Sequence, residues 1–266
     1  MKQPSESLYF KTFGRNNGNV LVFLHGYLES TEIWDSFAEK LADEYFVVCI
    51  DLPGHGRSFT ISENPSLEKF GDAIIAVLNK LSIKQFQVVG HSMGGYLSLS
   101  LLENYPDRLQ SIVLFHSGCF ADSDEKKHNR EKEIKLIRKG KKELIFDLSI
   151  PRLYSNFNLV SFSAEIEKSK KIALHTNESG IIAALQAMKD RPDRSKILAN
   201  ATVPAMVIAG RNDNLIPVEI MEKMQGLSEN IKLFFLENSG HMGFIEEPEL
   251  AEKALRNFFE ENFECT

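Results

Sequence analysis

The sequence predicts an α/β fold, a mostly parallel sheet with helices on both faces. Short runs of β-branched and aromatic residues alternate with stretches of helical periodicity, the rhythm of strand and helix units around a parallel sheet. Most of these runs are apolar throughout rather than alternating with polar residues, as strands are when both faces of their sheet are covered. The rhythm stops between about Cys119 and Ala201 and then resumes, which marks an insertion.

Taken in order, Leu8 to Phe13 reads as an antiparallel edge strand and Val20 to His25 (VLVFLH) as the first internal one. A helix over Thr31 to Ala42 leads to a strand at Tyr45 to Ile50 (YFVVCI), and a helix over Ser66 to Leu81 leads to one at Phe86 to Gly90 (FQVVG). Met93 to Tyr105 is the next helix, followed by a strand at Ile112 to His116 (IVLFH). After the insertion come a strand at Pro204 to Gly210 (PAMVIAG), a helix over Pro217 to Gly226, a strand at Ile231 to Leu236 (IKLFFL) and a helix over Pro248 to Phe259. Within residues 119–201, apolar side chains recur at helical spacing: Ile134, Leu136 and Ile137; Leu144, Ile145 and Leu148; Ile181, Ile182, Leu185 and Met188. Amphipathic helices inserted there would form a lid over the strand ends, leaving 1–118 and 202–266 as the core. The charged opening of the insertion, ADSDEKKHNREKEIKLIRKGKKEL, reads as a solvated helix face.

At 266 residues the chain suits one large domain carrying an insertion and can bury a core without disulfides or metals. Charged residues at 26% and hydrophobic ones at 43% exclude collagen, coiled coil and wholesale disorder. With 31 Lys and Arg against 37 Asp and Glu, the net charge of −6 offers no basic field, so neither nucleic acid nor an anionic membrane is an expected partner. Cys49, Cys119 and Cys265 form no CxxC pair and no Cys/His cluster, so neither a disulfide framework nor a metal centre is expected. The first residues are polar with no apolar h-region, and no stretch approaches a membrane span. A reducing, cytoplasmic setting is expected, and no oligomeric state is legible.

Gly90, His91, Ser92, Met93 and Gly94 form a G-x-S-x-G motif between a predicted strand and a predicted helix. A serine at so sharp a turn is crowded on both sides, which requires minimal side chains two residues before and two after it. The turn raises the Ser92 hydroxyl above the sheet at a helix N-terminus, where developing negative charge is favoured. Gly95 then allows close packing of helix on strand. A serine hydroxyl is a weak nucleophile at neutral pH and needs a base oriented by an acid. Candidates exist downstream: Asp213 follows one predicted strand and His241, in Ser239-Gly240-His241, follows the next. Both lie at strand carboxyl ends, where open α/β sheets carry their sites.

These motifs resemble the α/β-hydrolase family, in which the triad runs Ser, then Asp or Glu, then His along the chain. The resemblance extends from about Val20 to Phe259, with only the insertion generic. It implies Ser92 as nucleophile, Asp213 as orienting acid and His241 as general base. His25-Gly26-Tyr27 resembles the family's HG-x turn, which implies an oxyanion hole made by the backbone N–H groups of Tyr27 and Met93. The stretch Asp51 to Ser58 (DLPGHGRS) matches a further family segment and reads as a structural turn.

The implied activity is a serine hydrolase that cleaves a carboxylic ester or related acyl bond of a small molecule through an acyl-enzyme, with no metal or organic cofactor. Apolar lid faces imply a partly apolar substrate. A lyase or C–C hydrolase of the menaquinone-lyase type uses the same triad, but that family has an arginine right after the elbow glycines where this chain has Tyr96. A non-catalytic receptor on the same scaffold is the third reading; dehalogenase and epoxide hydrolase chemistry needs a carboxylate nucleophile in place of Ser92. Among the other histidines, His128 and His175 read as solvated, His55 as part of the structural turn, His91 as holding nearby backbone and His25 as anchoring the oxyanion loop. His116 ends a strand beside the expected pocket and, with Tyr96, is a candidate substrate contact. Arg191 and Arg194 sit where the insertion returns to the core; surface positions are expected, and a carboxylate-binding role is the alternative. Cys119 and Trp34 read as buried hydrophobes.

Overall fold

A computed structural model of the chain describes residues 7–16 and 18–263, so Cys265 lies outside the described residues. Seven strands form one sheet: β1 (Phe10–Phe13), β2 (Val20–Leu24), β3 (Phe46–Ile50), β4 (Phe86–His91), β5 (Leu109–Phe115), β6 (Ala205–Gly210) and β7 (Ile231–Leu236). They lie in the order β1-β3-β2-β4-β5-β6-β7, with β1 antiparallel to β3 and every other neighbour parallel. The register aligns the carboxyl ends, pairing Leu24 with Gly90, His91 with Phe115 and Gly210 with Leu236. Every residue of β2, β4 and β6 is buried, which explains their apolar runs, interrupted in β4 by the buried Gln87 and His91. The expected strands are all present; β5 begins three residues early because Gln110 is exposed and Ser111 is a buried polar residue, which breaks the apolar run.

Helices α1 (Asp35–Leu41), α2 (Leu67–Lys80) and α3 (Met93–Asn104) connect the first strands. The expected helix over Thr31 to Ala42 is divided: a 3-10 turn at Thr31–Ile33 precedes α1, with Trp34 between them. Its start is pinned because the Thr31 amide donates to Asp51 Oδ1 at 2.7 Å. Helix α2 is a standard amphipathic element, capped by Ser66 and burying Phe70, Ile74 and Leu78. Helix α3, in contrast, is buried almost all round, since it carries Ser92 at its start into the middle of the molecule.

Five helices lie between β5 and β6 among the described residues: α4 (Asp124–Ile137), α5 (Lys142–Ser149), α6 (Ser163–Leu174), α7 (Glu178–Lys189) and α8 (Ser195–Ala199). Ile134, Ile137, Ile181, Leu185 and Met188 are buried as their spacing predicts. In α5 the spacing misleads: Leu144 and Leu148 are 54% and 65% exposed, while Phe146 is only 1% exposed. The aromatic ring buries more apolar area than either leucine and sets the inward face of a two-turn helix. Helix α6 escapes the periodicity because Ser169 occupies its buried face beside Ile166 and Ile172. Helix α7 approaches the Asp51 to Ser58 turn with backbone against backbone: a Cβ at either Gly54 or Gly180 would collide with the other residue.

Arg191 and Arg194 are not on the surface. Arg191 Nη1 lies 2.9 Å from Asp122 Oδ1, and its guanidinium stacks 3.9 Å over the Tyr96 ring. Arg194 is buried and ion-paired with Glu68 and Glu103, so both arginines fasten the returning chain to α2 and α3. Cys49 and Cys119 are buried free thiols. The chain ends in α9 (Val218–Gln225), α10 (Gly243–Glu246), a single turn with no periodic signal, and α11 (Pro248–Phe263).

Trp34 is fully buried, edge-on to Phe23 at 5.0 Å and 4.3 Å from the Phe244 ring in α10. Trp34→Ala is expected to remove about 3–5 kcal/mol of stability, read as a lower urea midpoint at unchanged slope.

Candidate active site

Ser92 sits between β4 and α3 with φ 50° and ψ −113°, a left-handed conformation that costs a non-glycine residue energy. The surrounding backbone enforces it. The Ser92 amide donates to Phe115 O at 3.0 Å, and Ser117 Oγ donates to the Ser92 carbonyl at 2.7 Å. A Cβ at Gly90 would strike the Gly94 carbonyl, and one at Gly94 would strike the Leu24 carbonyl, so no larger residue fits at either position.

Asp213 follows β6, and its Oδ1 accepts the amides of Leu215 at 2.8 Å and Ile216 at 3.1 Å. Its Oδ2 accepts His241 Nδ1–H at 2.7 Å, which leaves His241 Nε2 buried and without a partner. Burial alone would raise the Asp213 carboxyl, yet the His241 ring and hydrogen bonds from His116 and His241 hold it far below the usual carboxylate range. For His241 the balance runs the other way: burial pulls its pKa down, and the Asp213 carboxylate more than offsets this, leaving it above the ordinary 6.5. The His241 loop is held by a carboxylate that the sequence did not reveal. Glu246 Oε2 accepts the amides of Gly240 at 2.8 Å and Met242 at 3.3 Å, while its Oε1 accepts that of Ser155 at 2.8 Å. The His241 amide itself donates to Leu153 O at 2.7 Å, in the segment between β5 and β6.

His25 donates Nδ1–H to Gly26 O at 2.7 Å and accepts the Leu52 amide on Nε2 at 2.9 Å, tying the Tyr27 turn to the end of β3. Among the described residues, neither the Tyr27 nor the Met93 backbone N–H donates to any protein group. The Tyr27 hydroxyl reaches across to donate to Glu133 Oε1 at 2.9 Å. Burial pushes Tyr27 well above 10, with Glu133 adding to it, and burial raises the Glu133 carboxyl in turn. The Asp51 to Ser58 stretch is structural: Asp51 Oδ2 accepts the Arg57 amide at 2.9 Å and Ser58 Oγ donates to Asp51 O at 2.6 Å.

Ser92, His241, Tyr27 and Tyr96 line one cavity of about 300 Å³. Leu28, Ile150, Leu153, Met188, Leu215 and Ile216 make its apolar wall. Lys126, Asn129, Arg130 and Glu133, spaced as one face of α4, also line it. Part of the charge run expected to be a solvated face therefore faces the cavity. His116, expected as a substrate contact, does not reach it. Its ring is buried beneath Asp213, with Nδ1 3.5 Å from Asp213 Oδ2 and Nε2 accepting the Gly243 amide at 3.1 Å, and burial pulls it down to about 4. Cys119 is buried away from the cavity, and His128 and His175 are exposed. Among the described residues, the one group of three side chains with metal-ligand proximity is His116, Asp213 and His241, whose donor atoms already face one another. No described helix is long and apolar enough to cross a membrane.

A family model described as alpha/beta hydrolase fold matches residues 19–139 and 168–248. The chain is similar to an esterase from Thermogutta terrifontis solved with malate bound, at 28% identity and a TM-score of 0.91, covering 96% of this chain and 93% of that one. It is 25% identical to 3-oxoadipate enol-lactonase 2 of Acinetobacter baylyi, over 91% of this chain and 89% of that protein. It is also 25% identical to the pimeloyl-[acyl-carrier protein] methyl ester esterase of Nitrosomonas europaea, over 91% and 96% of the two.

In the native protein His241 should titrate above 6.5. Asp213→Asn removes the largest of the charges that raise it and leaves burial opposed only by Glu29 and Glu246, so the midpoint should fall when followed by NMR of the ring protons. An unmoved midpoint would mean that another group sets it.

Proposed function

The chain belongs to the alpha/beta hydrolase fold family, and on that premise we propose that it is a serine hydrolase acting on carboxylic esters through an acyl-enzyme. The observation that carries this reading is the state of His241: Nδ1 is held on Asp213 while Nε2 is buried without a partner in the wall of a cavity that also contains Ser92. That is the arrangement a base needs if it is to take a proton from a hydroxyl beside it. The ester and lactone activities for which the relatives are named support the bond type.

In this mechanism His241 Nε2 takes the Ser92 proton as Oγ attacks the carbonyl carbon. The carbonyl oxygen becomes an oxyanion that accepts from the unengaged N–H groups of Tyr27 and Met93, and each such donor is worth on the order of 3–4 kcal/mol at the transition state. The imidazolium, stabilised by Asp213, returns its proton to the leaving alkoxide as the ester C–O bond breaks. Water then attacks the acyl-enzyme, His241 takes a water proton, and its transfer to Ser92 releases the acid. The α4–α8 insertion acts as the cap of the site, a reading supported by Arg130, Ile150 and Met188 of that segment lining the same cavity as Ser92.

The cavity favours an amphiphilic substrate. Its apolar wall suits an acyl or alkyl group, and the α4 face suits a carboxylate. Lys126 stands there with Arg130, whose Nε already donates to Asp122 and whose other N–H groups remain for a ligand, while the neighbouring carboxyl of Glu133 is engaged by Tyr27. The malate held by the related esterase and the oxoadipate in the lactonase's name carry the same group.

Ser92→Ala should reduce hydrolysis of short p-nitrophenyl esters by at least about a thousandfold at unchanged thermal stability, and a fluorophosphonate should label Ser92 in the wild type. Half the wild-type rate in the variant would refute the assignment. Arg130→Met should raise KM for a hemisuccinate ester about tenfold more than for the matched butyrate ester. Equal effects on the two would remove the carboxylate from the substrate class.

A further inference from the structure

The two nitrogens of His91 both face acceptors. Nδ1 lies 2.9 Å from Glu29 Oε2 and Nε2 lies 2.8 Å from the main-chain carbonyl oxygen of His241. A carbonyl cannot donate, and the carboxylate oxygen at Nδ1 already accepts the Gly26 amide at 2.5 Å. A neutral imidazole would set a bare lone pair against one of these oxygens; only a ring with both N–H groups satisfies the two. The pair is buried, Glu29 at 4% and His91 at 0% exposure, in the wall of the Ser92 cavity, with His91 edge-on to the rings of Trp34 and Phe244. Three titratable rings surround it: His241 at 4.9 Å, His116 at 6.1 Å and His25, which shares the field of Glu29.

We propose that Glu29 and His91 are positioning residues for the site, a buried carboxylate–imidazolium pair that holds the oxyanion turn, the nucleophile elbow and the general base in one register. The inference rests on the hydrolase reading above. Glu29 fixes the turn through Gly26, one residue before Tyr27. His91 is the residue before Ser92, and through the His241 carbonyl it sets where that residue's backbone lies. Burial would raise the Glu29 carboxyl, but His91, His25 and the Gly26 amide together hold it below its ordinary value, so the carboxylate is the charged partner the ring requires. Both line the cavity wall, but each acts on the site through a neighbour.

Two measurements test this. NMR of protein carrying isotope-labelled histidine, with His91 assigned by its loss in His91→Gln, should show both His91 ring nitrogens protonated near neutral pH; one bare nitrogen overturns the proposal. This spectrum needs no substrate, so its result is independent of whether the ester reading survives. Glu29→Gln keeps the shape and an acceptor for Gly26 but removes the charge. On esters whose cleavage depends on Ser92, kcat per fluorophosphonate-titrated site should fall about 10- to 100-fold with KM nearly unchanged. The acid limb of kcat should move to lower pH, because the Glu29 charge is one of those that raise the His241 ring. A variant with wild-type kcat and an unmoved acid limb overturns the proposal. A purely structural role would lower the fraction of titratable sites and leave the pH profile of the remainder intact. If Glu29→Gln does not fold, the wild-type spectrum alone decides.

Discussion

Ser92 holds a left-handed backbone conformation that its own side chain opposes, and the rest of the site is arranged around that constraint. The conformation survives because the Phe115 carbonyl and the Ser117 hydroxyl grip the peptide units on either side, and because Gly90 and Gly94 leave room for the chain to reverse. With the turn in place, the serine stands at the start of α3, above strand ends that the parallel register has brought level. The loops after β2, β6 and β7 then meet it at the same rim.

Those loops would be floppy if left to themselves, and each is instead tied down by a buried or half-buried carboxylate that accepts backbone N–H groups. Asp51 takes the amides of Thr31 and Arg57, Asp213 those of Leu215 and Ile216, Glu246 those of Ser155, Gly240 and Met242, and Glu29 that of Gly26. A carboxylate accepts several such bonds at once and is strengthened by its charge, so one side chain can set the path of several residues. Asp213 does this with one oxygen while accepting His241 Nδ1–H with the other, so one residue both builds its loop and fixes a ring in the cavity wall.

The sheet was legible in the sequence because strands buried on both faces are unbroken apolar runs, and the elbow because its glycines are demanded by local crowding. Ser92, Asp213 and His241 followed from their places after strands, a rule about chain order that needs no knowledge of packing. Glu29 and Glu246 were invisible, since nothing local marks a glutamate whose partners lie across the fold. His116 misled for the complementary reason. It ends a strand at the right rim, but its ring turns under Asp213 to serve the Gly243 amide. In the insertion, short helices carry too few turns for periodicity to choose a face, as Phe146 against Leu144 and Leu148 shows. The charge run that forms α4 gave no sign that one stripe of it looks inward.

The hydrogen bond from the His241 amide to the Leu153 carbonyl joins the segment between β5 and β6 to the loop that carries His241. Asn214, next to Asp213, adds a second tether by donating to the Tyr154 carbonyl at 2.9 Å. Swinging the 151–155 segment outward therefore pulls on the imidazole and its anchor together. The backbone path of residues 151–155 is thus one of the constraints that fix where the His241 ring stands.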